Sequence, residues 1–276
     1  ELVSRVFTHL ELKKARDTIE KQNKKLKRQN TLLDSQNKRL SELNATKDKF
    51  FSIVAHDLMG PFNTLIGFSE YLISEFDNLN LDKIKEFHQH IRSSAKHGHT
   101  LLENLLEWAR SQTGTIRWEP QNTPVAFVIR ETVNLLKVMA EKKEQQIVCS
   151  VKEDLAAYFD QKMILTVLRN LISNAIKFTP CKGIINIIAY KKNEQFVEIN
   201  VTDTGIGIDP EDIEKLFRID ISHSTPGTNN ETGTGLGLIL CKEFVEKNGG
   251  TIYAESEQNK GSRFAFTLPV RKIDIS

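Results

Sequence analysis

Cysteine is scarce: Cys149, Cys181 and Cys241 are the only three in 276 residues, with no CxxC spacing among them. That argues against a disulfide framework or a zinc ribbon and fits reduced thiols in a cytosolic compartment. No run of about eighteen apolar residues is present, and no signal peptide opens the chain. An excess of one charge is missing too. The formal net charge is only +2, so no polyelectrolyte character points to nucleic acid. There is no glycine-rich loop ending in GK[ST], and no GxGxxG directly after a strand, so neither of the two commonest nucleotide fingerprints applies. The first residue is Glu1, in mid-helix pattern, so an upstream sensor carrying any membrane span is expected outside these residues.

What is present is regular. Hydrophobic residues make up 39% and charged residues 27%, enough for packed cores and for long exposed helical faces. Leu12, Ile19, Leu26, Leu33 and Leu40 recur every seven residues, and Asn23, Asn30, Asn37 and Asn44 hold the companion position. Leu at d with Asn at a favours a parallel two-stranded coiled coil and fixes its register at a cost in stability. The basic run KQNKKLKR reads as solvated coil faces; a strip beside an anionic membrane is the functional alternative. The heptad phase continues through Asn44 and Lys47 into Phe51 without a skip.

Phe51, Val54, Leu58, Pro61, Leu65, Phe68 and Leu72 then form one apolar stripe, the seam of a helical bundle. His56 lies off it, on a flank open to water, and Pro61 is expected to kink the helix one turn later. After a break at FDNLNLD, a second stripe runs Ile84, Phe87, Ile91, Ser94, Gly98, Leu101, Leu105 and Trp108. The two helices make an antiparallel hairpin, and two copies would make a four-helix bundle with two His56. His88/His90 and His97/His99 sit two apart, where helical side chains diverge, and read as exposed polar positions rather than chelating pairs.

Residues 115–123 carry turn and proline signals and read as a linker. A mixed pattern follows: a helix from about Val125 to Lys143, a strand at Ile147–Val151, and a helix from Asp160 to Phe178. Strands Ile184–Tyr190 and Phe196–Thr202, a glycine-rich segment, a helix Gly237–Asn248 and strands Thr251–Glu257 and Ser262–Leu268 complete a two-layer α/β sandwich.

Four features of that domain belong together. Asn170 and Asn174 lie on one helix face with Lys177 a turn beyond, a set able to hold a hydrated magnesium ion and a phosphate. Asp203 ends an apolar strand ahead of Gly205 and Gly207, so a carboxylate can accept from an exocyclic amine while bare backbone approaches a flat ring. Gly233, Gly235 and Gly237 lead into a helix, as a phosphate-binding nest does. Between them RIDISHSTPGTNNET is long, polar and turn-rich, as a lid would be.

The box HDLMGP with NLISNAIKFT, DTGIG and GTGLGL, in this order, resembles the transmitter of bacterial two-component sensor histidine kinases over roughly residues 46–270. The resemblance includes their GHKL-type ATP domain and, more distantly, the ATP sites of DNA gyrase and mismatch-repair ATPases. It implies a coiled-coil signalling helix (1–46), a dimerisation and phosphotransfer hairpin (47–114) and a catalytic ATP-binding domain (124–272). By that likeness His56 accepts the γ-phosphoryl group of ATP, and Asp57 orients the ring and takes its proton. Asn174 would ligate Mg2+ with Asn170 in support, and Lys177 would neutralise phosphate. Asp203 would read adenine, with Gly205 and Gly207 allowing contact. Gly233, Gly235 and Gly237 would line the lid, and Arg218 would reach the γ-phosphate. The implied partners are a second copy of the chain and the receiver domain of a response regulator, and the implied setting is the cytoplasmic portion of an inner-membrane sensor.

Three departures shape that expectation. Gly60 stands where the family often has Thr or Asn to orient a water, which weighs against phosphatase activity. Thr166 replaces the glutamate base of the related ATPases, which weighs against direct hydrolysis. KLFRID keeps only Phe217 of the usual aromatic pair. Two alternatives remain open on the residues alone: an ATPase that drives dimer closure, and a scaffold that binds ATP only to set its conformation.

Overall fold

The computed structural model describes residues 2–112, 117–218, 225–229, 231 and 235–271. The chain divides into two compact units, residues 1–52 and 53–276.

Helix α1, Leu2–Ser74, is continuous, in keeping with the unbroken heptad phase, and it runs through Gly60 and Gly67 as well. In its first unit the seam residues Ile19, Leu26, Leu33 and Leu40 are 56–58% exposed. Among the described residues the seam is open to solvent.

In the second unit α1 passes through Pro61 as one element, although proline offers no N–H to the carbonyl of Asp57. A short 3-10 turn, Phe76–Asn78, leads to α2, Leu81–Gln112. The Asn80 side chain accepts from the backbone of Lys83 at 2.9 Å and so starts α2 as an N-cap. The two helices close along the expected stripes. Phe68 lies 5.3 Å from Phe87 and stacks on His90 at 5.1 Å, and Tyr71 meets Phe87 edge-on. Gly98 faces Pro61 across the pair: a Cβ there would stand at ordinary contact distance, 3.5 Å, from the proline Cβ. His88, His90 and His99 are exposed as expected, but His97 is half-buried.

The linker expectation needs correcting at its end. Gln121–Pro124 forms strand β1, antiparallel to β3, Ala156–Phe159, a strand the periodicity did not reveal because it has only four residues. Helix α3, Val125–Lys142, follows at once, then β2, Gln146–Val151. Helix α4, Gln161–Phe178, is capped by Asp160, whose carboxylate accepts from Met163 at 3.2 Å. Next come β4, Ile184–Lys191, and β5, Phe196–Asp203. A one-turn helix α5, Pro210–Ile213, precedes α6, Gly237–Lys247, and β6, Ile252–Glu257, and β7, Gly261–Pro269, end the fold.

Strands β2-β4-β5-β7-β6 form one sheet, parallel only at β2–β4. One face carries α3, α4 and α6, which gives the expected two-layer sandwich. Alternation decides the layers: Ile185, Ile187, Val197, Ile199 and Val201 are completely buried, while Ile184 and Ile188 face out. Both tryptophans dock on α6. Trp108 of α2 donates to Glu243 at 2.9 Å, and Trp118 donates to Asn248 at 3.2 Å.

Candidate nucleotide and phospho-acceptor sites

The inward register of β5 runs Val197, Ile199, Val201 and then Asp203, so the period that builds the core also buries a carboxylate at the strand's end. Oδ1 of Asp203 accepts from the backbone N–H of Gly205 at 2.8 Å and of Ser262 at 3.3 Å, leaving Oδ2 as the oxygen available to a ligand. Burial pushes the carboxyl up to about 6, against the pull of those two N–H groups. Gly205 does not line the cavity described next; it backs the carboxylate, because a Cβ would come within 2.5 Å of the Phe178 carbonyl. Gly207 has φ +70°, and a Cβ there would strike the Glu257 carbonyl at 2.1 Å. Only glycine lets this turn lie against the β6–β7 hairpin.

Beside Asp203 opens a cavity of about 420 Å³. Its walls include Asn170, Asn174 and Lys177 from α4, Gly207 and Ile208 after β5, and Gly235, Gly237 and Leu238 where α6 begins. Helix α4 turns its apolar face to the sheet, so the three polar residues ride on its flank. Helix α6 has no side-chain cap at its N-terminus, and its first N–H groups stand at this wall. Gly235 adopts φ +67°, and at Gly237 a Cβ would sit 2.9 Å from the Asn170 side-chain oxygen. The Asn170 Nδ2 is buried without a hydrogen-bond partner. A buried carboxylate, an orphaned amide, uncapped helix N–H groups and an ammonium suit one ligand with a hydrogen-bonding ring and anionic groups.

Lys177 donates to the Thr225 carbonyl at 2.9 Å and lies 4.5 Å from the ring of Phe178. Burial lowers its pKa, and the Glu231 carboxylate opposes that shift. Arg218 is exposed and does not line the cavity. Gly233 lies outside the described residues.

On α1, His56 is 89% exposed, and its Nδ1 faces Oδ1 of Asp57 at 3.2 Å. Nε2 is thus the ring nitrogen left for reaction. Half-buried His97 of α2 senses both sides. Burial lowers its pKa, the Asp57 carboxylate raises it and the Lys177 ammonium lowers it. The acceptor box and the cavity's lysine therefore act on a common residue. Among the described residues no cluster of three His, Cys, Asp or Glu side chains exists to cage a metal.

Sequence reasoning missed Phe178, Ile206, Gln258, Asn259, Ser262 and Phe264 at the cavity. Four of them lie on the β6–β7 hairpin and its neighbouring strand, which no local motif marks. It also missed Lys143, whose buried ammonium reaches the end of α4.

The chain matches a family model of the His Kinase A (phospho-acceptor) domain over residues 46–114. It matches a model of the histidine kinase-, DNA gyrase B- and HSP90-like ATPase over residues 159–272. It is 31% identical to the non-motile and phage-resistance protein of Caulobacter vibrioides, over 84% of this chain and 28% of that protein. It is 32% identical to the adaptive-response sensory kinase SasA of Thermosynechococcus vestitus, over 81% of this chain and 60% of that one. The chain thus spans only part of these relatives. Among solved structures, histidine kinase ThkA, in complex with response regulator protein TrrA, shares the fold with a TM-score of 0.63, at 24% identity over 80% of this chain and 61% of that one. A phospho-acceptor hairpin followed by a GHKL-type ATP domain, each with its family match in the same order, makes this chain a member of the two-component sensor histidine kinases.

Proposed function

We propose that the chain autophosphorylates His56 with ATP and passes the phosphoryl group to an aspartate of a response-regulator receiver domain. The observation that carries this reading is the pairing of an exposed imidazole, its Nδ1 3.2 Å from Asp57, with a cavity on the same chain lined by a buried carboxylate, two asparagines and a lysine. The lone pair on Nε2 attacks the γ-phosphorus. A P–N bond forms, the bond to the β,γ-bridging oxygen breaks, and ADP leaves. The Nδ1 proton passes to Asp57, which stabilises the positive ring as it forms.

Within the cavity Asp203, ionised, accepts from the adenine amino group, and Gly207 lets the ring lie close. Lys177 and the N–H groups from Gly235 onward hold phosphate oxygens. The side-chain oxygen of Asn174, with Asn170 beside it, would hold a magnesium ion. Bound there, the ion neutralises charge on the transferring phosphoryl group.

The division of labour follows the chain: 1–46 for signal, 47–114 for dimerisation and phosphotransfer, 124–272, joined by β1, for nucleotide. The unpartnered seam of α1 supports a parallel homodimer. The response-regulator partner is supported by the ThkA neighbour, which was solved with one. A sensor upstream of α1, set in an inner membrane, belongs to the same proposal. Among the described residues no helix is long and apolar enough to span a bilayer.

Autophosphorylation with γ-labelled ATP and magnesium tests the core of the reading. The native chain acquires an acid-labile, base-stable label, and His56→Ala acquires none. ATP turnover by both proteins with label on neither would move the assignment to an ATPase.

A further inference from the structure

We infer that Lys143 is a positioning residue for nucleotide binding: its buried ammonium ties the turn 225–229 and Glu231 to the end of α4, and so presents Lys177 to the phosphates. The inference rests on the role proposed above for Lys177.

Lys143 follows α3, and its side chain is only 6% exposed. Its Nζ donates to the carbonyls of Ile176 and Lys177, each at 3.0 Å, and to the Thr228 hydroxyl at 2.8 Å, and it pairs with the Glu231 carboxylate at 2.7 Å. The carbonyls belong to the last turn of α4, where helix acceptors lack intrahelical donors and the dipole favours a cation. A helix cap alone would be satisfied by those two oxygens. The carboxylate and hydroxyl come from a different segment, one that reaches the cavity.

That segment is pinned to Lys177 at several points. The Thr228 backbone N–H and hydroxyl both donate to the Lys177 carbonyl at 3.1 Å. Glu231 accepts from Gly227 through its carbonyl and from Asn229 through its carboxylate, each at 2.8 Å. At Gly227 a Cβ would stand 2.3 Å from the Glu231 carboxylate and 2.5 Å from Cγ of Lys177, so the turn lies directly on the lysine's stem. Thr225, at the start of the turn, receives the Lys177 ammonium at 2.9 Å, and both residues line the cavity. Lys143 and Glu231 do not line it. They act through Lys177: one holds the turn that aims its stem, and the other also opposes the loss of its charge on burial.

The test measures ATP and adenosine affinity, by calorimetry on the whole chain, for the native protein, Lys177→Ala, Lys143→Met, Glu231→Gln and Gly227→Ala. Loss of one oriented charge is expected to weaken ATP by about tenfold in Lys143→Met and Glu231→Gln, with adenosine, read at Asp203, unchanged. In the nucleotide-free protein, acylation of Lys177 followed by mass spectrometry is expected to speed up in Glu231→Gln, since its tether to Thr225 is loosened. Should Lys143→Met fail to fold, Glu231→Gln and Gly227→Ala carry the test. If Lys177→Ala weakens ATP while those two keep native ATP affinity and native Lys177 reactivity, the inference is overturned and the reading of Lys177 stands. If Lys177→Ala leaves ATP affinity intact, that reading fails, and the inference with it. Equal losses of ATP and adenosine in Glu231→Gln would indicate general damage and also overturn the inference.

Discussion

Leu26 of α1 and Leu168 of α4 both sit in regular helices with regular apolar spacing, yet Leu26 is 56% exposed and Leu168 wholly buried. The difference lies in what each helix meets. Around α4, the helices α3 and α6 and the sheet close over Met163, Ile164, Val167, Leu168, Leu171 and Ile172. Burying one such side chain contributes about 1.5–3 kcal/mol, so this domain reaches a stable core from its own sequence. The seam of α1 is thinner, with Leu or Ile at one heptad position and Asn at the other, and among the described residues nothing covers Ile19, Leu26, Leu33 and Leu40. In the proposed homodimer its hydrophobic free energy is released against a second copy. Regular spacing thus specifies an apolar stripe in both regions, and connectivity decides whether one chain or two must fill it.

Breaking the filled core should have the largest effect. Leu171→Ala should cost about 2–5 kcal/mol, through lost transfer energy and a cavity, and thermal denaturation should show the domain melting earlier. A melt unchanged within error would mean that α4 is not the centre of the core.

The next largest effect concerns the charge inside that core. Burial raises Asp203 from its ordinary 3.8 to about 6, so the folded, nucleotide-free chain holds the proton more tightly than the unfolded one. The resulting stability, up to about 3 kcal/mol, is complete below pH 3.8 and is lost as pH rises through about 6. ATP affinity should run the opposite way and increase through the same window, because adenine recognition needs the ionised acceptor. Asp203→Asn should flatten both profiles, with the melting temperature of the free chain and ATP titration read at several pH values. A native pH dependence surviving in that variant would place the titrating group elsewhere.

Emptying the seam is expected to matter less, and differently. Leu26→Ala with Leu33→Ala should weaken self-association by tenfold or more, about 1.4 kcal/mol, in analytical ultracentrifugation, while the melt of the α/β domain stays in place. If association is unaffected, dimerisation rests on the hairpin rather than on the coil.

The smallest effect is expected where hairpin and domain touch. Trp108→Phe keeps the ring but removes the hydrogen bond to Glu243, worth about 1 kcal/mol. Amide hydrogen exchange in the last turns of α2 and in α6 should quicken slightly, without a change in overall melting.

Much of this was legible in advance because local periodicity and backbone chemistry are written residue by residue. The ends of α3, α4, β4 and β5 fall within one or two residues of where apolar alternation and caps put them. Asp203 could be singled out because a carboxylate continues a buried strand register. Gly207, at φ +70°, could be singled out because no other residue takes that turn without strain. The four-residue strands β1 and β3 were not legible, since so short a run has no period to measure. His97, expected on the surface, is half-buried and feels both the Asp57 carboxylate of α1 and the Lys177 ammonium of α4, which no local pattern signals.

The sequence by itself determined the long helices and the strands of the larger sheet, the order of the two family domains, the heptad seam and the identities of the candidate imidazole and the buried carboxylate. Each of these depends on residues within a turn or a strand of one another. Only the tertiary structure decided which far-apart residues share a wall. It set Ser262 against Asp203 across 59 positions, Trp108 against Glu243 across 135, and Lys143 under the end of α4, where its ammonium meets Thr228 across 85. Such contacts depend on how layers and loops close in space, and no pattern along the chain encodes a distance between elements that are not neighbours in it.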